Sequence, residues 1–233
     1  MKTTSYRLDR FISKHREFSL SDVRLLVAQK RIHVDGQAAI SVQQKVTQFT
    51  QVQLDDQCLQ DNQAIYILLN KPQGYVSATK DSQHPTVIDL IDHPRKASLH
   101  IAGRLDLNTT GVMLLSNDGA WTRKMSLPES HLAKTYEVTV AQPLNDDYVR
   151  VFQQGIYFAY EDITTQPAQL EILTDFTARL TLTEGKYHQV KRMFGSFRNE
   201  VLALHRSSVG HMRLGELMPG ESRSLSPDEI SFP

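Results

Sequence analysis

Apolar residues Leu8, Phe11 and Ile12 recur at helical spacing, with Arg7, Arg10 and Lys14 around them. A second helical stripe follows at Leu20, Val23, Leu26 and Val27, with Ser19 or Ser21 ahead of it as a cap. Arg24, Lys30 and Arg31 sit on or just beyond that stripe. The period then drops to two. Ile32-His33-Val34 reads as a short strand, Asp35-Gly36 as a tight turn, and residues 42–54 as further strand. Residues 1–59 are thus expected to form two helices and a small hairpin sheet with a basic helical face. The polar run from Asp55 to Gln63 suits a linker. A second domain is expected over residues 64–233. Its strands are predicted at 65–69, 112–116, 136–140, 170–173, 178–183 and 201–204. Its helices are predicted near 86–91, 120–125, 146–154 and 187–196. Strands outnumber helices and do not alternate with them. This predicts an α+β fold with a mixed, largely antiparallel sheet, not a doubly wound parallel one.

Composition adds exclusions. A chain of 233 residues with 40% hydrophobic and 22% charged residues is ordinary globular material. Its one cysteine, Cys58, rules out an internal disulfide framework and any site built on two or four cysteines. No apolar run approaches the ~20 residues of a membrane span. The first fifteen residues hold no apolar signal core, so a cytoplasmic protein without membrane contact is expected.

Charge changes the picture more. The formal net charge is zero. Its distribution is uneven: residues 1–33 carry eight Lys/Arg against three acids, and residues 184–213 carry six against two. Acidic stretches lie between them. A zero total can therefore conceal two basic segments dense enough for a polyanion. Solvated helix faces would account for either segment alone.

The N-terminal order resembles the S4 RNA-binding domain, through Arg7-Leu8-Asp9-Arg10-Phe11-Ile12 and Arg31-Ile32-His33-Val34-Asp35-Gly36. S4 domains usually carry glycine where the second helix ends. Lys30 stands near that position here, at a cost of ~1 kcal/mol if the backbone is left-handed.

Three segments carry candidate chemistry. In Ala102-Gly103-Arg104-Leu105-Asp106-Leu107-Asn108-Thr109-Thr110-Gly111, extended backbone would aim Arg104 and Asp106 the same way. A structural ion pair in a turn and a positioned, ionised carboxylate both fit. In Lys134-Thr135-Tyr136-Glu137-Val138, period two puts Lys134, Tyr136, Val138 and Val140 on one face. The tyrosine suits either the core or a stack against a nucleobase, with Lys134 near a phosphate. In Glu184-Gly185-Lys186-Tyr187-His188-Gln189-Val190-Lys191-Arg192-Met193, a helix would place Lys191 at the edge of an apolar stripe and His188 and Arg192 on the opposite side. An edge lysine either snorkels outward or turns into a cleft to pair with a carboxylate. Dinucleotide, Walker, nucleophile-elbow and zinc-protease motifs are absent, and the nine histidines have no metal-ligand spacing. No metal site is expected.

Taken in order, Asn70-Lys71-Pro72-Gln73-Gly74-Tyr75, then Gly103-Arg104-Leu105-Asp106 with Thr109-Thr110-Gly111, then Lys134-Thr135-Tyr136, then residues 184–193 resemble the RsuA-type pseudouridine synthases. Leu204-His205-Arg206 through Val209-Gly210, then Pro219-Gly220-Glu221, continue the likeness. The resemblance implies an enzyme that isomerises a uridine of RNA to pseudouridine without a cofactor. Lys71-Pro72-Gln73-Gly74-Tyr75 and His84-Pro85-Thr86 point to the small-subunit rRNA branch, which acts on uridine 516 of 16S rRNA, in the naked rRNA or a ribosomal assembly intermediate. A large-subunit rRNA target and a non-catalytic RNA-binding module are the alternatives. The resemblance makes Asp106 the catalytic carboxylate, Tyr136 the ring on the target base and Lys191 the partner of the aspartate. Arg104, Lys71, Lys134 and Arg192 are expected to bind substrate, and Arg7, Arg10, Arg24 and Arg31 to contact RNA from the S4-like unit. A monomer is expected.

Overall fold

The computed structural model describes residues 5–231. The chain divides into two compact units, Met1–Ala64 and Ile65–Pro233.

In the first unit, helix α1 (Leu8–Arg16) buries Leu8, Phe11 and Ile12. Helix α2 (Leu20–Ala28) starts at a capping box. The Ser19 hydroxyl accepts from the Asp22 backbone N–H, and the Asp22 carboxylate accepts from the Ser19 N–H. The helix gives way to Lys30 at φ 56°, so the left-handed residue is a lysine where glycine would be unstrained. Strands β1 (Ile32–Val34), β2 (Gln37–Ala38), β3 (Val52–Leu54) and β4 (Gln57–Gln60) form a sheet in the order β2-β1-β3-β4. Two expectations are corrected here. The run 42–54 is two short strands, Lys45–Val46 and Val52–Leu54, separated by a turn. The polar run from Asp55 is not a linker over its whole length. Asp55 turns the chain at φ 53°, and residues 57–60 return as a strand paired with β3. The polar side chains misled because this edge strand is half in water.

The second unit is built on a nine-stranded sheet, with a separate two-stranded ribbon at Tyr157–Phe158 and Ile163–Thr164. Its main path uses β5 (Tyr66–Lys71), β6 (Thr110–Ser116), β7 (Lys134–Val140), β8 (Gln169–Thr174), β9 (Thr177–Leu182), β10 (Val201–Val209) and β11 (Ser222–Ser224), ordered β8-β9-β7-β10-β6-β5-β11. Every pair is antiparallel except β10 with β6. The unit is therefore α+β with a mixed, mostly antiparallel sheet. Helices α3 (Gly119–Ser126), α4 (Asp146–Gln154) and α5 (Gln189–Gly195) accompany it. The central strands β5 and β6 read as continuous apolar runs because both their faces are covered. Leu69, Met113 and Leu115 join one core with Tyr136, Phe152 and Phe194. Leu68, Val112 and Leu114 join another with Trp121 and Val209. The expected helix at 86–91 does not form. The Asp89 carboxylate accepts from the Thr86 N–H and hydroxyl and closes a turn there.

The parallel contact of β6 with β10 explains the glycine at 111. It pairs with Arg206, lies at φ 106°, and a Cβ there would stand 2.2 Å from the Arg206 carbonyl oxygen. Only a residue without a side chain lets the two backbones meet.

Candidate active site

Residues 103–109 form a loop that enters β6, and three attachments hold it. The Ser77 hydroxyl donates to the Leu105 carbonyl at 2.6 Å and accepts from the Leu105 N–H at 3.0 Å. The Gly74 N–H donates to the Leu107 carbonyl. The Lys71 ammonium donates to the carbonyls of Pro72, Leu107 and Thr109 at 3.0, 3.1 and 2.8 Å. Lys71 is fully buried. Burial pushes its pKa down to about 8, against the opposing pull of the Asp106 carboxylate. It is a strut beneath the loop. The sequence could not separate a lysine beside a ligand from one beneath a loop.

The loop presents Asp106 to a cavity of about 140 Å³. Lys191 on α5 places its ammonium 3.2 Å from one carboxylate oxygen, and His188 places Nε2 3.3 Å from the other. The edge lysine has turned into the cleft. Helical spacing would put His188 on the far side of the helix. It instead precedes α5 in a left-handed conformation, φ 48° and ψ 31°, which turns its ring back toward Asp106. Its signal was its place in the ordered block at 184–193, not helical spacing. That block is tied to itself. Glu184 accepts from the Gln189 side-chain amide at 2.6 Å, and the Gln189 oxygen accepts from the Lys186 N–H at 2.9 Å.

Arg104 does not pair with Asp106. It is exposed at the rim of the same cavity. Tyr136, Lys134 and Arg206 also line this cavity. Tyr136 and Lys134 lie on the buried face of β7. Lys134 donates to the Leu132 carbonyl at 2.9 Å, and its pKa is lowered by burial and by the Arg206 charge. Arg192 lies elsewhere. It grips Glu161 through two hydrogen bonds at 2.7 and 2.5 Å and stacks on the Phe158 ring. Arg206, which only the ordered motifs pointed to, is a cavity residue that charge patterning did not single out.

In the first unit, Arg7 is held by Asp9 and Arg31 by Asp55, each at 2.6 Å. Their charge is compensated within the unit in the absence of RNA. Arg10 and Arg24 are exposed and make no ion pair among the described residues. Also among these residues, no group of three or more His, Cys, Asp or Glu is arranged to hold a metal, and no helix is long and apolar enough to cross a membrane.

The cavity thus brings together a carboxylate held between an ammonium and an imidazole, a buried aromatic ring and two buried cations. The profile of the RNA pseudouridylate synthase family matches residues 65–196, the span that holds Asp106, Tyr136 and Lys191. The chain belongs to the RNA pseudouridine synthase family and is an enzyme of that class. It is 49% identical over 226 residues to the ribosomal small subunit pseudouridine synthase A of Pseudomonas aeruginosa, covering 96% of this chain and 98% of that protein. Its identity to the proteins of the same name from Yersinia pestis and Escherichia coli K12 is 42% and 41%, each over 97% of this chain and 97% and 98% of theirs. A solved structure described as a pseudouridylate synthase superposes with a TM-score of 0.69 at 38% identity, over 96% of this chain and 97% of that one.

Proposed function

We propose that this enzyme converts one uridine of small-subunit rRNA, uridine 516 of the 16S molecule, to pseudouridine. The carrying observation is Asp106 held 3.2 Å from Lys191 in a cavity that also contains Tyr136. The names of the full-length relatives support the small-subunit target. In this reading the target nucleotide leaves its helix and stacks on Tyr136. Asp106, aimed by Lys191, acts on the ribose as the N1–C1′ bond opens. Uracil turns, C5 joins C1′, the C5 proton leaves and N1 gains one. The isomerisation is redox-neutral, so it requires no electron-carrying cofactor. Arg104 at the rim meets the backbone of the displaced nucleotide, and the first unit adds phosphate contacts.

Two measurements test this. Pseudouridine is mapped in both rRNAs from cells with and without the gene; loss at one small-subunit position is expected, and loss only in the large subunit refutes the target. Asp106→Asn, nearly isosteric but unable to act as a carboxylate, is expected to stop turnover on an rRNA fragment while leaving its affinity within about threefold. Turnover within a few fold of the parent would remove Asp106 from the role.

A further inference from the structure

Three cations stand within or under the catalytic cleft almost wholly out of water: Lys71, Lys134 and Arg206, at 0, 8 and 2% exposure. Lys71 is consumed by the loop it supports. The other two line the cavity. Arg206 donates from Nε to the Val112 carbonyl at 2.8 Å, but its buried Nη2 has no hydrogen-bond partner among the described residues. Lys134 has one carbonyl partner, and among the described residues no carboxylate is paired with either residue. The two carboxylates of the cavity are committed elsewhere. Asp106 is held by Lys191 and His188, and Glu184 by Lys186 and Gln189. A buried charge without a counterion is costly unless something arrives to neutralise it.

The strand register indicates what arrives. The pairing of β7 with β10 slips by one residue between Thr135 and Tyr136, so Arg206 comes directly opposite Tyr136. Directly opposed residues share a sheet face, and Lys134 lies two residues before Tyr136 on that same face. Arg206, Lys134 and Tyr136 thus line one cavity, the two cations almost wholly out of water and not at the exposed rim where a nucleotide backbone would run. We infer that Arg206, with Lys134, forms an anion site for the uracil ring itself, holding the charge on its carbonyl oxygens after the glycosidic bond opens. This rests on the reading of the site as a pseudouridine synthase centre. When N1–C1′ breaks, the bonding pair leaves with N1 and spreads to O2 and O4, making a uracil monoanion. The pair is returned when C5 bonds C1′, the C5 proton departs and N1 is reprotonated. A fixed positive wall stabilises that intermediate without having to reorganise.

The test uses the full chain and two free bases of one size and shape. In mildly alkaline buffer 6-azauracil is mostly a monoanion, whereas uracil is neutral. Calorimetric titration should show 6-azauracil binding at least about tenfold more tightly than uracil. Arg206→Gln should bring the two affinities within about twofold of each other, while uracil binding changes by less than about threefold. Arg206→Lys, which keeps the charge, should retain the preference. Inorganic phosphate should not displace 6-azauracil. Equal affinities in the parent protein overturn the inference even if the buried variants fail to fold. Displacement by phosphate overturns it too, in favour of a phosphate seat. Turnover of an rRNA fragment by the same sample separates the two readings. Turnover without anion preference removes only this inference; anion preference without turnover removes the assigned reaction and leaves the anion site.

Discussion

Replacing Lys71 with methionine tests whether a buried charge holds the loop of residues 103–109. The substitution keeps the length of the side chain and removes the ammonium. Its pKa of about 8, against an ordinary 10.5, means that keeping Lys71 charged inside the protein costs roughly 3 kcal/mol. Its hydrogen bonds to Pro72, Leu107 and Thr109 offset that cost. Leu107 keeps another donor in the Gly74 N–H, but the bonds to Pro72 and Thr109 go with the ammonium. A buried carbonyl left unpaired costs about 1–3 kcal/mol. The gain and the losses nearly cancel, so at neutral pH the variant should differ from the parent by only about 1–3 kcal/mol. The informative quantity is the pH dependence. Between about pH 8 and 10.5 the folded parent has shed the Lys71 proton while the unfolded chain still holds it. Unfolding then takes up a proton, so parent stability rises with pH in this window, and below it the contribution is flat. Relative to Lys71→Met, the parent should gain about 3 kcal/mol across the window. Urea titrations followed by the fluorescence of the single tryptophan, Trp121, report the unit concerned. A difference between the two proteins that stays level from pH 7 to pH 10.5 would refute a buried, charged Lys71. Turnover at neutral pH should fall in the variant because residues 103–109 lose one of their three attachments.

Other outcomes follow from the geometry. Gly111→Ala drives a Cβ to 2.2 Å from the Arg206 carbonyl and should cost about 3 kcal/mol or more in urea titrations, whereas Gly119→Ala, with open space around it, should stay within about 0.5 kcal/mol. Lys191→Met should lower kcat on the order of a hundredfold and Lys191→Arg by less than tenfold, since arginine keeps a cation beside Asp106; parental kcat in the methionine variant would end the case for that pair. In the first unit, Arg10→Gln with Arg24→Gln should reduce the slope of log affinity for rRNA against log salt by about 1.4, as two lost phosphate contacts require. The same change at Arg7 and Arg31 should move it less, because Asp9 and Asp55 already compensate them. Equal slope changes for the two pairs would show that these ion pairs open on binding.

Local patterns carried much of the fold. Periodicity marked α1, α2 and α4, and apolar runs or alternation at 65–69, 112–116 and 136–140 marked the strands now seen at 66–71, 110–116 and 134–140, because a buried face imposes its pattern on the residues that make it. The alternation in β7 is by itself enough to put Lys134 and Tyr136 on the buried side. The turn at 86–91 and the edge strand at 57–60 escaped, since a side-chain bond from Asp89 and half-solvated edge pairing leave no period to read. The order of motifs grouped Asp106, Tyr136 and Lys191, and the folded chain brings them to one cavity. What each cation does there was a matter of long-range geometry. Lys71, Arg192, Arg31 and Arg206 are all plain basic residues in the sequence. One became a strut under a loop, two found carboxylates at 31 and 24 residues' distance, and one was set against Tyr136 by a slip in strand register. Charge is a property of the residue, but whether it meets a carbonyl, a carboxylate or an open cleft depends on neighbours that only the folded chain assembles.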